Sequence, residues 1–366
     1  MSCDFIALAN QGVQKLSPYQ TGKPIDELKR ELGLDDIIKL ASNENPLGCS
    51  PLAIAAIQAE LNQVSLYPDG NGFNLKQAIQ QKFGFELNCI TLGNGSNDIL
   101  ELVARAYIAQ GESAVYSQHA FAVYPLAVQA VGGVGIEVPA KNFGHDLVAM
   151  AAAIQTKTKV VFIANPNNPT GTWFARAEFE EFMAQVPAHV LVVLDEAYVE
   201  YVTDQDFMNG FDYVNQYPNL IVSRTFSKAY GLASLRVGYA IASVDVTNIL
   251  NRVRQPFNVN SFALAAATAA LQDENFVGQS RALNSAGMAQ LEAGLSALGL
   301  SFIPSKGNFI AFDTGRPCLP VFQALLQQGV IVRPIANYGL PTYLRVSIGL
   351  ESENQRFLTA LAQVLR

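Results

Sequence analysis

Short apolar runs alternate regularly with helical patterns through the middle of this chain. The runs are rich in valine and isoleucine, and they predict strands at residues 89–92, 114–116, 134–138, 160–164, 190–194, 220–222 and 237–241. Helices are predicted between the earlier strands, at residues 98–108, at 123–131 and within 147–154. Uninterrupted apolar strands separated by helices are typical of a parallel sheet buried on both faces. The predicted fold is therefore α/β, with a mostly parallel seven-stranded sheet flanked by helices.

The two ends of the chain differ in character from this middle part. Residues up to Leu34 are polar and predict an irregular arm, followed by a short strand at 37–40 and a helix at 51–61. After Asn258, helices at 263–271 and 286–298 accompany strands at 309–312 and 344–348. A chain of 366 residues is long enough for one large and one small domain. We expect an N-terminal arm at 1–35, a large domain at 36–257 and a smaller α+β domain at 258–366.

The composition argues against a nucleic-acid-binding, secreted or membrane protein. The chain has 24 basic and 31 acidic residues, a net charge of −7, and no block of five or more like charges. Residues 1–4 include no basic segment ahead of an apolar one, and no apolar stretch reaches the length of a membrane span. The four cysteines form no CxxC pair, and the three histidines show no metal-ligand spacing. We expect a soluble cytoplasmic protein without a bound metal.

Lys228 lies in a polar, glycine-bordered loop directly after the predicted strand 220–222. In sheets of this type, ligands bind where the strands end at their carboxyl edges. Hydroxyl groups flank the lysine, and Arg236 follows eight residues later. The pattern suits a nucleophilic amine that condenses with an aldehyde cofactor, whose phosphate the hydroxyls and Arg236 can hold. The alternative is a solvated surface lysine in an ordinary loop.

Three further polar segments also follow predicted strands. Residues 93–97 open a helix whose amino end attracts an anion, with Ser96 or Asn97 expected as the cap; an ordinary capped helix start is the alternative. The proline- and asparagine-rich turn at 165–171 suits presenting an amide to a ligand, or a rigid turn alone. Asp195 follows five apolar residues, so it is expected to be partly desolvated. It then needs a cationic partner, such as a protonated ring nitrogen, unless it is a solvated strand end or a helix cap.

An aromatic residue and two arginines complete the set of candidates. Phe121, just past strand 114–116, offers a ring face for stacking on a planar ligand, or ordinary core packing. Arg345 lies inside the apolar strand 344–348, and Arg333 lies in a second apolar segment. An arginine that faces inward favours bidentate carboxylate recognition, whereas one that faces solvent is inert. The sequence leaves both orientations open.

Together these segments resemble the fold-type I aminotransferases that use pyridoxal phosphate, over nearly the full length of the chain. The matching segments are Ser17-Pro18-Tyr19-Gln20, Asn43-Glu44-Asn45-Pro46, Tyr67-Pro68, Gly95-Ser96-Asn97, Asn167-Asn168-Pro169-Thr170-Gly171, Asp195-Glu196-Ala197-Tyr198, Ser227-Lys228 and Arg345. Each motif is modest, but their order and spacing are specific. One departure is Ser234, which stands where relatives usually have glycine and can crowd the backbone near the phosphate.

The resemblance implies a role for each candidate residue. Lys228 would bind the cofactor covalently and then carry a proton between substrate and cofactor, and Asp195 would pair with the ring nitrogen. Tyr198 and Asn168 would bind the ring hydroxyl oxygen, and Phe121 would stack on the ring. The phosphate would be held by Gly95, Ser96, Asn97, Thr225, Ser227 and Arg236, and by Tyr67 from the other subunit of a homodimer. Arg345 would bind the substrate carboxylate; Arg333, Tyr19 and Asn45 are the other candidates for substrate binding.

The resemblance implies transamination between L-histidinol phosphate and 2-oxoglutarate, giving imidazole acetol phosphate and L-glutamate in two half-reactions. Two arginines are enough to bind one acidic group at each end of a substrate. Three alternatives remain open: an aromatic amino-acid aminotransferase, a threonine-phosphate decarboxylase, and a cofactor-binding regulator that senses without catalysis. The regulator is disfavoured because only about 35 residues, not basic, precede the first predicted strand.

Overall fold

The computed structural model describes residues 3–19 and 22–366. Strands in this part of the chain are β1 (Ile38–Lys39), β2 (Ile90–Gly93), β3 (Ser113–Ser117), β4 (Val134–Val138), β5 (Thr158–Ala164), β6 (Leu191–Asp195), β7 (Leu220–Thr225), β8 (Gly238–Ile241), β9 (Phe302–Ile303), β10 (Phe309–Asp313), β11 (Val330–Ile331), β12 (Arg333–Pro334) and β13 (Tyr343–Ser347). A central seven-stranded sheet has the order β2-β8-β7-β6-β5-β3-β4. Only β8 runs antiparallel to its neighbours, which confirms the predicted mostly parallel α/β sheet.

Helices connect and surround the strands in the described part of the chain. They are α1 (Phe5–Leu8), α2 (Gln11–Gln14), α3 (Ile25–Leu32), α4 (Pro51–Glu60), α5 (Phe73–Phe83), α6 (Ser96–Tyr107), α7 (Val123–Ala130), α8 (Leu147–Ala152), α9 (Arg176–Gln185), α10 (Val244–Val253), α11 (Ser261–Ala270), α12 (Glu274–Ala297), α13 (Cys318–Gln327) and α14 (Glu351–Leu365). In the described ranges, no helix is both long and apolar enough to cross a bilayer.

The sheet is buried on both faces, as its unbroken apolar strands require. In β6, Val192 and Leu194 point into one core, whereas Leu191 and Val193 point into another. This alternation follows from the two-residue period of a strand, which sends successive side chains to opposite faces. A sheet enclosed in this way exposes its strand ends and the loops beyond them to ligands.

A second, smaller sheet has the order β12-β13-β10-β9 and is antiparallel. Two connections complicate the predicted division of the chain. Strand β1 pairs with β11, so that Ile38 lies opposite Val330, and helix α11 contributes alanines to the core of the large sheet. The domain bounds stay a prediction. From this packing we propose that the large domain extends past α11, and that the segment around β1 belongs with the small sheet.

The prediction of an irregular arm up to Leu34 is wrong, because α1, α2 and α3 lie within it. The longest of these helices is α3. Leu28 in that helix is fully buried, and Gly33 ends it with a left-handed backbone, at φ 67°. In α3, charged residues surround a narrow apolar stripe, so the polar composition of the segment gave no indication of a helix. Helices α5, α9, α10, α13 and α14 and the short strands β9, β11 and β12 were also not predicted. Residues 1, 2, 20 and 21, including Gln20 of the first matching segment, lie outside the described part of the chain.

Candidate active site

A cavity of about 280 Å³ opens at the carboxyl ends of β5, β6 and β7. Ala164, Asp195 and Thr225, the last residues of these strands, all line it. The other lining residues are Tyr19, Gly22, Ala41, Ser42, Asn43, Ser96, Asn97, Phe121, Pro166, Asn168, Ala197, Tyr198, Ser227, Lys228, Arg236, Arg333 and Arg345. Most of the residues selected from the sequence therefore come together in one place.

Lys228 projects into this cavity from the loop after β7. Its Nζ donates a hydrogen bond to the carbonyl oxygen of Ser42 at 3.1 Å, and it lies 5.8 Å from the centre of the Tyr198 ring. The pKa of Lys228 is lowered to about 7, mainly by burial and also by the nearby cations of Arg345 and Arg236, whereas Glu44 and Asp195 oppose the shift. A substantial fraction of the amine is therefore neutral, and nucleophilic, near neutral pH.

Asp195 forms the floor of the cavity at the end of β6. Burial raises the pKa of its carboxyl group to about 6, while a hydrogen bond from the Tyr124 hydroxyl to Oδ2, 3.1 Å long, opposes the rise. Its Oδ1 is buried and makes no hydrogen bond with the described residues. A buried carboxylate oxygen without a partner is costly, so this oxygen suits a cationic N–H group of a ligand.

A phosphate-sized cradle lies between the start of α6 and the loop that carries Lys228. Arg236 Nη1 donates to Ser227 Oγ at 3.1 Å, and the Ser227 amide donates to Thr225 Oγ1 at 3.1 Å. The first amides of α6, those of Ser96 and Asn97, have no partner within the helix and favour an anion. These donors and one cation converge on the same end of the cavity.

Gly95 is the residue that keeps this cradle open. It has φ 83° and is the N-cap of α6, so the prediction of Ser96 or Asn97 as the cap is wrong. A Cβ at this position would lie 2.4 Å from Arg236 Nη2. Only glycine therefore lets the arginine approach the amino end of the helix. Ser234 is exposed and does not line the cavity, so the expected crowding is not seen in the described residues.

Asn168 and Tyr198 line the cavity from two different loops. Asn168 Oδ1 accepts a hydrogen bond from Arg345 Nη1, which leaves its Nδ2 as the group able to donate. The Tyr198 hydroxyl accepts a hydrogen bond from Asn43 Nδ2 at 2.9 Å, and burial raises the pKa of the phenol. Tyr198 therefore keeps its proton at neutral pH and can donate it to a ligand.

Both arginines face the cavity, which settles the orientation that the sequence left open. Arg345 and Arg333 are only 7% and 9% exposed, and they are cross-strand partners in β13 and β12. Arg345 Nη2 donates to the carbonyl oxygen of Ala41 at 2.7 Å. The Arg333 guanidinium carbon lies 6.0 Å from the ring centre of Tyr19, whose edge meets Phe121. Two guanidinium groups and an aromatic wall thus form one end of the cavity.

Three selected residues lie outside the cavity lining. Gly95 does not line the cavity itself, but it lies beside Arg236, which does. Asn45 Nδ2 instead donates to the carbonyl oxygen of Ala229 and to Ser280 Oγ, so it fixes the loop after the lysine. Tyr67 is 83% exposed and stacks on Phe257, with ring centres 4.8 Å apart. Within the described part of the chain, Tyr67 does not line the cavity.

Sequence reasoning missed the segment between β1 and α4 as a wall of the site. Its consecutive carbonyl oxygens at Ala41, Ser42 and Asn43 accept hydrogen bonds from Arg345, Lys228 and Asn308 respectively. Asn43 begins one of the matching motifs, so the motif marked this segment, although the residue it predicted for substrate binding was Asn45. Tyr124, which binds Asp195, gave no signal at all because it lies within an apolar helix.

The residues present fit pyridoxal phosphate. The partnerless Asp195 Oδ1 suits a protonated ring nitrogen, the Lys228 amine suits an aldehyde, and the cradle beside Gly95 suits a phosphate. Fold and site together define the class as that of fold-type I transferases dependent on this cofactor.

Comparison with known proteins gives the family. The model for aminotransferase class I and II matches residues 35–361, and the chain belongs to this family. It is 66% identical over 364 residues to histidinol-phosphate aminotransferase 2 of Pseudomonas aeruginosa, covering 99% of each chain. It is 65% identical over 367 residues to the protein of the same name from Pseudomonas fluorescens, covering 100% of this chain and 99% of that one.

A solved structure with the same architecture contains the cofactor. It is the histidinol-phosphate aminotransferase of Sinorhizobium meliloti in complex with pyridoxal-5′-phosphate. The TM-score is 0.89 at 28% identity, and the match covers 97% of this chain and 96% of that one. Both the sequence relatives and this structure match nearly the whole chain, so the family assignment covers the arm, the large sheet and the small sheet together.

Proposed function

We propose that this aminotransferase uses pyridoxal 5′-phosphate to move an amino group from L-histidinol phosphate to 2-oxoglutarate, in histidine biosynthesis. The observation that carries the proposal is the pair of buried arginines, Arg333 and Arg345, in the same cavity as Lys228. The donor carries a phosphate, whereas 2-oxoglutarate carries two carboxylates. Adjacent guanidinium groups can bind the phosphate jointly or the two carboxylates separately. The names of relatives that match the full chain support the same substrate.

Each residue of the site then has a chemical task. Bound pyridoxal phosphate supplies an electron-withdrawing ring that makes a proton on the substrate α-carbon removable. Asp195 keeps the ring nitrogen protonated, while Tyr198 and Asn168 donate to the ring oxygen. The neutral amine of Lys228 would hold the cofactor through its aldehyde carbon. Once the amino group of the donor has displaced it, the freed amine would accept the proton from the substrate α-carbon and pass it to the cofactor. The cradle around Arg236 holds the phosphate, and Phe121 covers one face of the ring.

We further propose that two copies of the chain form a homodimer and that Tyr67 acts in the partner's site. Tyr67 is exposed, and so are the apolar side chains of Leu61, Val64 and Leu66, which shortly precede it in the chain. An exposed apolar patch of this kind is typical of an interaction surface. Light scattering should give twice the chain mass, and Tyr67→Ala should weaken cofactor binding. A monomer that is fully active would contradict this part. A cytoplasmic location and the absence of nucleic-acid partners stay predictions.

A donor panel tests the proposed reaction. The protein is loaded with pyridoxal phosphate and assayed for glutamate formation from 2-oxoglutarate with L-histidinol phosphate, phenylalanine or tyrosine as donor. We expect the highest kcat/KM with L-histidinol phosphate. A higher value with an aromatic amino acid, or no amino transfer at all, would overturn the proposal. Release of carbon dioxide from threonine phosphate would indicate the decarboxylase instead.

A further inference from the structure

Asn43 is held at the wall of the cavity by an unusually complete set of contacts. It is 1% exposed and has a left-handed backbone, with φ 55°. Its backbone N–H donates to Ser347 Oγ at 2.8 Å, and its carbonyl oxygen accepts from Asn308 Nδ2 at 3.0 Å. Its side-chain Oδ1 accepts from Ser347 Oγ at 2.9 Å, and its Nδ2 donates to the Tyr198 hydroxyl at 2.9 Å.

These contacts fix which way the amide group of Asn43 points. Ser347 Oγ accepts from the backbone N–H of Asn43, so its own proton is available for Asn43 Oδ1. With Oδ1 tied to Ser347, the NH₂ group faces Tyr198. A phenol has one proton and two acceptor lone pairs. An NH₂ donor on one lone pair turns the phenolic proton of Tyr198 away from Asn43 and toward the cavity.

From this geometry we infer that Asn43 is a positioning residue, which directs the Tyr198 proton to the ring oxygen of the cofactor and strengthens Tyr198 as a donor. A hydroxyl that accepts one hydrogen bond donates a stronger one. The inference rests on the proposed function, because it requires Tyr198 to lie beside the cofactor. Through Ser347, Asn43 also connects Tyr198 to strand β13, because Ser347 lies on the same face of that strand as Arg345.

The absorbance of bound pyridoxal phosphate provides a readout that does not depend on turnover. A hydrogen bond donated to the ring oxygen stabilises the deprotonated form of the lysine-bound cofactor, so losing it raises the pH midpoint of the absorbance change. Asn43→Gly removes the amide and tolerates the positive φ. We expect Asn43→Gly and Tyr198→Phe each to raise the midpoint by about 0.5–1 pH unit, the size expected for one hydrogen bond.

The double variant decides whether Asn43 acts through Tyr198. If it does, Asn43→Gly adds no shift to that of Tyr198→Phe. No shift from Asn43→Gly, or the same shift in both backgrounds, would overturn the inference and leave the proposed function standing. No shift from Tyr198→Phe would instead overturn the placement of Tyr198 at the cofactor, and with it the proposed site. The two failures are thus distinguishable.

A second variant covers the case in which Asn43→Gly does not fold, as judged by circular dichroism. Asn43→Asp also tolerates the positive φ and can still accept a hydrogen bond from Ser347. Its carboxylate has no proton to donate, however, so it accepts a hydrogen bond from the Tyr198 hydroxyl and turns the phenolic proton away from the cofactor. The negative charge of the aspartate also raises the pH midpoint by itself. The shift that Asn43→Asp causes in the Tyr198→Phe protein measures this effect of charge. We expect a larger shift with Tyr198 present than without it; equal shifts would contradict the inference.

Discussion

Arg333 and Arg345 are cross-strand partners in β12 and β13, and both guanidinium groups line the cavity that contains Lys228. Burial lowers the pKa of Arg345, and repulsion from the neighbouring cation of Arg333 lowers it further. An anionic ligand removes this repulsion, because each arginine can then make charge-assisted hydrogen bonds. The pair is therefore better suited to a dianionic phosphate, or to two carboxylates, than to a neutral group.

Arg333→Ala should impair the reaction of L-histidinol phosphate more than that of a donor without phosphate. Loss of charge-assisted hydrogen bonds predicts a kcat/KM about 10- to 100-fold lower for L-histidinol phosphate. The decrease should be smaller for phenylalanine. Arg333→Lys keeps the charge and should retain part of the activity, although it lacks the bidentate geometry. Equal losses for both donors would show that Arg333 does not recognise the phosphate.

The rate of cofactor capture should depend on pH with a midpoint near neutrality. Burial lowers the pKa of Lys228 to about 7, so the protonated, non-nucleophilic form predominates below that pH. The rate constant for capture of pyridoxal phosphate by the cofactor-free protein should therefore rise as pH rises through about 7 and then level off. An ordinary lysine would keep gaining reactivity up to about pH 10.

Stopped-flow absorbance measures this rate, and two variants control it. Lys228→Ala should abolish turnover and the visible absorbance of the bound cofactor, with an unchanged circular dichroism spectrum. Lys157→Ala, at an exposed lysine away from the cavity, should behave like the unmodified protein. A capture midpoint near 10, or visible absorbance retained in Lys228→Ala, would remove the lysine from the mechanism.

Tyr124→Phe should move the acidic limb of the pH–rate profile to higher pH. Burial raises the pKa of Asp195, and the hydrogen bond from Tyr124 opposes this rise. Without that bond the pKa rises further, by up to about one unit, so Asp195 loses its charge at a higher pH. A cationic ring nitrogen lowers the pKa in both proteins and leaves the direction of the difference unchanged.

Kinetic measurement of kcat against pH tests this effect. Phenylalanine keeps the stacking of residue 124 on Phe162, where ring centres lie 5.1 Å apart, so the fold should be preserved. Tyr107→Phe removes a hydroxyl elsewhere and should leave the profile unchanged. If both variants give the unmodified profile, the Tyr124 hydrogen bond has no influence on the ionisation of Asp195.

Local patterns predicted the seven strands of the central sheet and the positions of the ligand loops. The runs ending at Ala164, Leu194 and Val222 are apolar without interruption, and such runs form strands buried on both faces. These strands are parallel, so the polar residues that follow them lie at the same edge of the sheet. This explains why Asp195, Asn168 and Lys228 could be selected from the sequence and are found in one cavity.

Contacts between distant parts of the chain could not be predicted in this way. Asn43 and Tyr198 are 155 residues apart, and Tyr124 and Asp195 are 71 residues apart. Their partnership depends on how helices and loops dock, which no local period encodes. The two-residue strands β9, β11 and β12 are likewise too short to show an alternation. The resemblance to a family supplied roles, but not these supporting contacts.

Arg224→Gln should destabilise the protein strongly, because it leaves a carboxylate buried without its cation. Glu196 is fully buried and accepts hydrogen bonds from Arg224 Nε at 2.9 Å and Nη2 at 2.7 Å. Burial raises the pKa of Glu196, and Arg224 is the main group that opposes this. Breaking a buried ion pair on one side costs about 3–5 kcal/mol of unfolding free energy.

Urea denaturation at a fixed cofactor concentration measures the loss, and an exposed ion pair provides the control. Glu274 is largely exposed and contacts Lys82 at 3.2 Å, so Glu274→Gln should cost less than about 1 kcal/mol. Low pH should reduce the penalty in Arg224→Gln, because protonation of Glu196 removes the unpaired charge. A loss no larger than that of Glu274→Gln would show that the buried pair does not stabilise the strand ends that carry Asp195 and Lys228.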